Sequence, residues 1–340
     1  MKTFVIAEAG SNHNNDYETA LKLIDAATSA GCDAVKFQIF SSNNLYAKNT
    51  PDFAGYKNIN ELIESIEIPR DWISGLKTYC DHKNIEFMAT PFDEEAVDQL
   101  CELDIKRIKI AGFEATDPRF VKYVAATGKP LIVTAGIGCD IKMINQILDW
   151  ICEESDSRDI TILHGNHAYP TPIKDINLGQ LNVLKKQFEW DLKYWDFKLG
   201  LSDHTEGIFI PPLAVAMGAS IIEKHFTLDR TMDGPDHAFA IEPNELTEMV
   251  KNIRLVEKTL STKQGSFTES EEKFKKAMRS VVAKKSIKKG EVFDNNNITT
   301  KRPYVEGSIS AKDFYKHIGK FALNDIKDDE IVLLKQSSLK

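Results

Sequence analysis

From the first residues to about residue 260, short apolar runs rich in β-branched residues alternate with stretches whose apolar positions return at helical spacing. Eight short runs read as strands: Phe4–Gly10, Ala34–Phe40, Ile85–Pro91, Arg107–Gly112, Pro130–Gly136, Ile160–Gly165, Lys198–His204 and Ser220–Phe226. Helices are expected between them, over Tyr17–Ala30, Glu94–Leu103, Asp140–Cys152 and Gly207–Met217, and Pro243–Leu260 closes the series. Eight strand–helix units in about 250 residues match the size of a (β/α)8 TIM barrel. A doubly wound open sheet is the alternative, but no G-x-G-x-x-G follows the first strand and the repeat number fits closure better.

Two stretches break the alternation. Residues 41–70 are polar and Asn-rich, longer than an ordinary connection, as lids and binding loops are. Residues 261–279 begin with a segment rich in Ser, Thr, Lys and Glu that reads as a linker. Residues 280–340 then carry short strand-like pieces, including Ser280–Ala283 and Glu330–Leu334, around Gly290 and Gly307. The α/β barrel is therefore assigned to residues 1–260, and a small β-rich domain to residues 280–340.

Composition narrows the function classes. The longest apolar runs, such as Leu213–Met217, fall far short of the ~18 residues of a membrane span. The N-terminal run Phe4–Ala7 is too short for a secretory leader, so a cytoplasmic location is expected. Of 43 Lys/Arg and 51 Asp/Glu, residues 266–340 hold 16 and 11, which leaves 27 and 40 for the rest. An acidic barrel (−13) argues against nucleic-acid binding, and a basic tail (+5) suits a seat against an acidic surface. The five cysteines are scattered without a C-x-x-C pair and read as buried free thiols.

In such barrels reactive groups sit at the C-terminal ends of the strands, and here every strand end carries an ionisable or hydroxyl residue. Strand 1 brings Glu8 and then Asn12-His13-Asn14; strand 2, Lys36 and Gln38; strand 3, Thr90; strand 4, Lys109 and then Glu114. Strand 5 ends at Thr134, strand 6 runs through His164 to His167 and Tyr169, strand 7 ends in Ser202-Asp203-His204, and strand 8 in Glu223-Lys224-His225. A lysine within an apolar strand needs an anion, either an ion-pair partner such as Glu8 or Glu114 or a bound phosphate or carboxylate. Schiff-base formation with a carbonyl substrate is the other use of such a lysine. His204 and His225 end adjacent strands, about 5 Å apart in a closed barrel, so both imidazoles can reach one ion. Asp203, Glu223 and Asp236 lie near them in sequence, and mixed imidazole and oxygen ligation suits Mn2+ or another first-row ion. His82 and His317 read as surface or helix residues.

Seven segments in order resemble the sialic acid synthase family, which includes N-acetylneuraminate, legionaminate and pseudaminate synthases. They are Ala7–Asn14, Lys36–Gln38, Thr90–Phe92, Tyr169–Pro172, Gly200–Thr205, Glu223–Thr227 and Gly234–Asp236. The tail resembles the family's antifreeze-like, or SAF, domain through Ile287–Glu291 and Thr300–Pro303. The resemblance implies condensation of phosphoenolpyruvate with an N-acylated mannosamine-type sugar, with Mn2+ or Mg2+ held by His204 and His225. It implies that Glu8 lies beside the reacting carbons, with Glu114 as a second candidate catalytic acid. Lys36, Thr90, Lys109 and Thr134 match positions that hold phosphoenolpyruvate. Gln38, Tyr169, Glu223 and Asp236 match sugar-side contacts, and Asn60 another. A domain-swapped homodimer is also implied, in which Arg302 of each tail reaches the partner's sugar site.

The chain departs from the family pattern at one end of this site. Members commonly carry Gly-Ser-Gly-Glu or Ala-Ser-Phe-Glu after strand 4, whereas this chain has Ala111-Gly112-Phe113-Glu114 and lacks that hydroxyl. After strand 6 it has His164-Gly165-Asn166-His167, which adds an imidazole. His167 either replaces the missing phosphate donor or marks a different acceptor sugar. Besides the synthase, a metal or Schiff-base aldolase and a non-catalytic carbohydrate-binding protein are the competing functions.

Overall fold

A computed structural model of the chain describes residues 2–52, 57–135, 137–138, 140–189, 191, 196–260 and 267–338. Gly136, Cys139 and residues 261–266 of the expected linker lie outside the described residues. The chain divides into two compact units, Met1–Ser261 and Thr262–Lys340.

Unit 1 is built on eight parallel strands: β1 Phe4–Gly10, β2 Ala34–Ile39, β3 Glu86–Pro91, β4 Ile108–Ile110, β5 Leu131–Thr134, β6 Ile160–Gly165, β7 Lys198–Asp203 and β8 Ile221–His225. They hydrogen-bond in the order β3-β2-β1-β8-β7-β6-β5-β4, and β3 and β4 pack against each other at the remaining seam. The pairing of β1 with β8 joins the two ends of the strand series, and the packing of β3 on β4 closes the ring, which excludes the open, doubly wound alternative. The expected strands match within two residues at their ends, β4 being the shortest.

Helices pack outside the strands. Aspartates start several of them: Asp16, Asp93 and Asp140 accept backbone N–H groups of the first turns of Tyr17–Ser29, Glu94–Glu102 and Ile141–Glu154. The long stretch after β2 is partly helical, with short helices at Ser42–Leu45 and Ile59–Ile66. Ile59, Ile63 and Ile66 recur at helical spacing and pack under Phe40, so this loop has a small apolar core of its own.

Inside the barrel the alternation of side chains along each strand produces layers. Ile6, Ala34, Met88, Ile132, Leu163 and Ile221 form an apolar plug. Two residues further along the strands the same face carries Glu8, Lys36, Thr90, Thr134 and Glu223, all buried. The plug closes the floor, and the polar layer stands on it.

Unit 2 pairs Ser280–Ala283 with Ile298–Lys301 as an antiparallel ribbon, extended by isolated bridges such as Val282 to Ile331 and Ile287 to Ile326. Val281, Ile287, Phe293, Ile309, Ile326 and Val332 form its core. His317 ends the short helix Phe314–His317 and is buried there, its Nδ1 2.7 Å from Ser337 Oγ.

Candidate active site

The polar layer is a four-membered ion cluster. Lys36 Nζ lies 2.8 Å from Glu8 Oε2 and 3.7 Å from Glu223 Oε2, and Lys109 Nζ lies 3.2 Å from Glu223 Oε1. Lys109 thus pairs with Glu223 and not with Glu114, a relation that arises because closure turns β8 toward β4 across the lumen. Lys36 also donates to Thr90 Oγ1 at 2.7 Å, and Ser202 Oγ donates to Glu223 Oε1 at 2.8 Å. Burial works against the Glu223 carboxylate, but Lys109 and Lys36 outweigh it and hold Glu223 well below the usual carboxylate range. Burial works against the Lys36 ammonium too, yet Glu223 and Glu8 keep it raised; Lys109, less well compensated, is lowered by burial. Two lysines share the two buried glutamates, and Lys109 retains donor capacity beyond its one carboxylate contact.

Beside this cluster stand the two imidazoles. His204 and His225 have ring centroids 5.3 Å apart. His204 Nδ1 lies 2.5 Å from the Asn166 carbonyl oxygen, which requires the proton on Nδ1 and leaves Nε2, 3.4 Å from Ser202 Oγ, as the nitrogen with a lone pair. Burial and then the neighbouring His225 push His204 down to about 3, so the ring is neutral. His225 Nδ1 lies 3.1 Å from Asp236 Oδ2, near enough to attract but misaligned for a hydrogen bond. Burial opposes the His225 imidazolium, and Asp236 more than compensates. A neutral imidazole with a fixed tautomer and a second one beside a carboxylate are a donor set that fits a divalent ion. Among the described residues no group of three His, Cys, Asp or Glu converges on one point, so water or substrate oxygens would complete the sphere. Asp203 faces away from the imidazoles, toward Lys224 and Thr205, and Glu223 faces the lysines.

Above these groups lies a cavity of about 520 Å3 lined by Gln38, Glu114, His167, Tyr169, His225 and Asp236, with an apolar wall from Phe40, Ile63, Ile66 and Phe92. Gln38 Nε2 donates to Glu8 Oε1 at 3.0 Å. Burial raises Glu114, whose Oε2 lacks a hydrogen-bond partner, as does Thr134 Oγ1. The ring of Tyr169 lies 4.3 Å from that of His204, centroid to centroid. Asn60 sits one turn before Ile63 and donates to the Ala47 carbonyl at 3.1 Å, which ties down its own loop. His13 is buried under Trp72 and Phe37, with Nδ1 accepting from Asn15 N, and supports the first loop. Arg302 lies in unit 2, exposed. Ser202, a strand-end candidate to which the sequence assigns no role, bridges β7 and β8 through Glu223 from an inward-facing position.

A profile of the NeuB family matches residues 23–265, most of the chain, and one of the SAF domain matches residues 278–336. The chain belongs to the NeuB family. A protein of Campylobacter jejuni named N,N'-diacetyllegionaminic acid synthase is 39% identical over 97% of this chain and 99% of its own. A pseudaminic acid synthase of the same species is 35% identical over 96% and 94%. The crystal structure of an N-acetylneuraminic acid synthetase from Leptospira borgpetersenii, 32% identical, superposes with a TM-score of 0.71 over 81% of this chain and 90% of that one. As a NeuB-family member, the chain is a phosphoenolpyruvate-dependent condensing enzyme of nonulosonic acid synthesis, a TIM barrel followed by a SAF domain. No described helix is long and apolar enough to cross a membrane.

Proposed function

We propose that this enzyme condenses phosphoenolpyruvate with an N-acylated mannosamine-type sugar and releases phosphate by C–O cleavage. The observation that carries the reading is the buried cluster of Lys36, Lys109, Glu8 and Glu223 next to a pair of imidazoles at one strand-end rim. Lys36 and Lys109, with Thr90 and Thr134, hold the anionic groups of phosphoenolpyruvate. Gln38, Tyr169, Glu223, Asp236 and Asn60 form the sugar side, and the apolar wall accommodates an acyl group. His204 and His225 would hold Mn2+ or Mg2+, which when bound supplies Lewis acidity toward the sugar aldehyde oxygen.

C3 of the enol adds to the aldehyde carbon, and positive charge develops at C2. The Glu8 carboxylate, fixed by Lys36 and Gln38, stabilises that charge. Glu114, raised by burial, takes one proton of the water that adds to C2 and passes it to the alkoxide formed from the aldehyde oxygen; the remaining proton of the C2 hydroxyl leaves with phosphate as the C2–O bond breaks and the C2 carbonyl forms. The proposal extends to a cytoplasmic homodimer in which Arg302 of the SAF domain reaches the partner's sugar site.

Incubation with phosphoenolpyruvate, Mn2+ and a panel of N-acyl mannosamines and 6-deoxy diacetamido sugars tests the reading. Phosphate should appear only when sugar and metal are both present, and EDTA should stop it. Bridging oxygen-18 should end in inorganic phosphate; its retention in the sugar acid would exclude C–O cleavage. Pyruvate consumption trapped by borohydride would mark an aldolase instead.

A further inference from the structure

Gly112 and His167 share one volume. A Cβ placed on Gly112 would lie 1.7 Å from His167 Nε2 and 2.5 Å from its Cε1, far inside contact distance. The Gly112 backbone is not in the left-handed region, so glycine is required there for space and not for conformation. The imidazole enters from the loop after β6, packed against Phe113 with ring centroids 5.1 Å apart. Its Nε2 is buried on the cavity wall and has no hydrogen-bond partner. A buried polar atom without a partner is costly unless a ligand completes it.

The direction of that ligand follows from the neighbours. Lys109 lies three residues before Gly112 and close enough for its charge to act on the ring. Thr134, at the end of β5, has an unpartnered buried hydroxyl, and its methyl group is 3.2 Å from where a side chain on Gly165 would begin. The underused donors of β4, β5 and the loop after β6 therefore sit on consecutive elements, opposite Asp236 and Gln38 near Gly10. A phosphate, with several acceptor oxygens, is what such a set satisfies.

Resting on the phosphoenolpyruvate reading above, we infer that His167 is a substrate-contact residue whose Nε2–H donates to the phosphate of phosphoenolpyruvate, and that Gly112 exists to admit its ring. Burial and then Lys109 push the imidazole down to about 4, so at neutral pH it donates a hydrogen bond without adding charge. No covalent step is assigned to it.

Calorimetric titration of the full chain with phosphoenolpyruvate, without sugar, tests the assignment. His167→Ala should weaken binding about tenfold, the size of one hydrogen bond to a charged group, and leave the sugar KM unchanged. Inhibition by inorganic phosphate should weaken in parallel. His167→Gln, which keeps an N–H donor, should retain most of the affinity and remains decisive if the alanine variant folds poorly. Gly112→Ser should expel the ring and match His167→Ala. The double variant Gly112→Ser/His167→Ala should bind more tightly than Gly112→Ser alone, because the hydroxyl then occupies the vacated space. Unchanged phosphoenolpyruvate affinity in His167→Ala, an effect confined to the sugar KM, or simple additivity in the double variant would overturn the assignment and leave the proposed function standing. A wild-type protein that binds no phosphoenolpyruvate would overturn both.

Discussion

Lys224 Nζ lies 2.8 Å from Asp203 Oδ2, and both side chains are almost wholly buried. Each is the chain neighbour of a candidate metal-binding histidine, but on the opposite face of its strand. Asp203 Oδ1 also accepts from the Thr205 backbone N–H and hydroxyl, and Lys224 donates to the Thr205 carbonyl. The pair stitches β7 to β8 behind the imidazoles.

Removing one member leaves the other charged and buried. Lys224→Met or Asp203→Leu alone should therefore lower stability by about 3–5 kcal/mol, whereas the double apolar replacement should recover much of the loss. Urea unfolding of the three variants measures this; a loss in the double variant equal to the sum of the two single losses would show that the pair contributes no coupling.

His225→Ala should reduce apparent Mn2+ affinity by at least about 100-fold, since loss of a partner one shell further out already costs 10–100-fold. Phosphate release titrated with Mn2+ gives the comparison, and far-UV circular dichroism should be unchanged. Activity at wild-type metal concentrations would refute the role of His225.

Glu114→Gln separates stability from turnover. Burial raises the Glu114 pKa, with Lys109 opposing, so its folded value exceeds the unfolded one. Such a carboxyl lowers stability as pH rises through that interval. The glutamine variant should be more stable than wild type at pH 7, and the difference should vanish below the unfolded value of about 4.3. Turnover should fall about 100- to 10,000-fold if Glu114 handles the water's proton.

At the other end of the barrel, Asp33 accepts from the Val5 backbone N–H at 3.0 Å and from Arg254 at 2.8 Å, and pairs with Lys2. Burial opposes its ionisation, but these partners prevail and its pKa is lowered. The stability it contributes is complete above the unfolded value of about 3.9 and is lost as pH falls through the folded one. Asp33→Asn should be less stable than wild type at pH 7, with the gap narrowing below about pH 4. A pH-independent gap in thermal unfolding would disprove the linkage.

The barrel was legible because strands buried on both faces leave apolar runs, in which Lys36 and Lys109 stand out against Val35, Phe37, Ile108 and Ile110. What escaped the sequence depends on closure. No spacing connects Lys109 with Glu223, 114 residues away, because their contact requires the sheet to curl and bring β8 opposite β4. Likewise Asp203 and Glu223 looked like neighbours of one ion, yet strand alternation sends Asp203 outward to Lys224 and Glu223 inward to the lysines. The reciprocity of Gly112 and His167 is steric, and composition shows only its two halves.

The plug of Ile6, Ala34, Met88, Ile132, Leu163 and Ile221 closes the barrel beneath the reaction chamber, so among the described residues the chamber is a vessel stoppered at its base. In the proposed reaction, both reactants then arrive, and phosphate and sugar acid depart, on the side of the strand ends. A molecule seated deep against the floor has then to enter before, and leave after, one held nearer the rim.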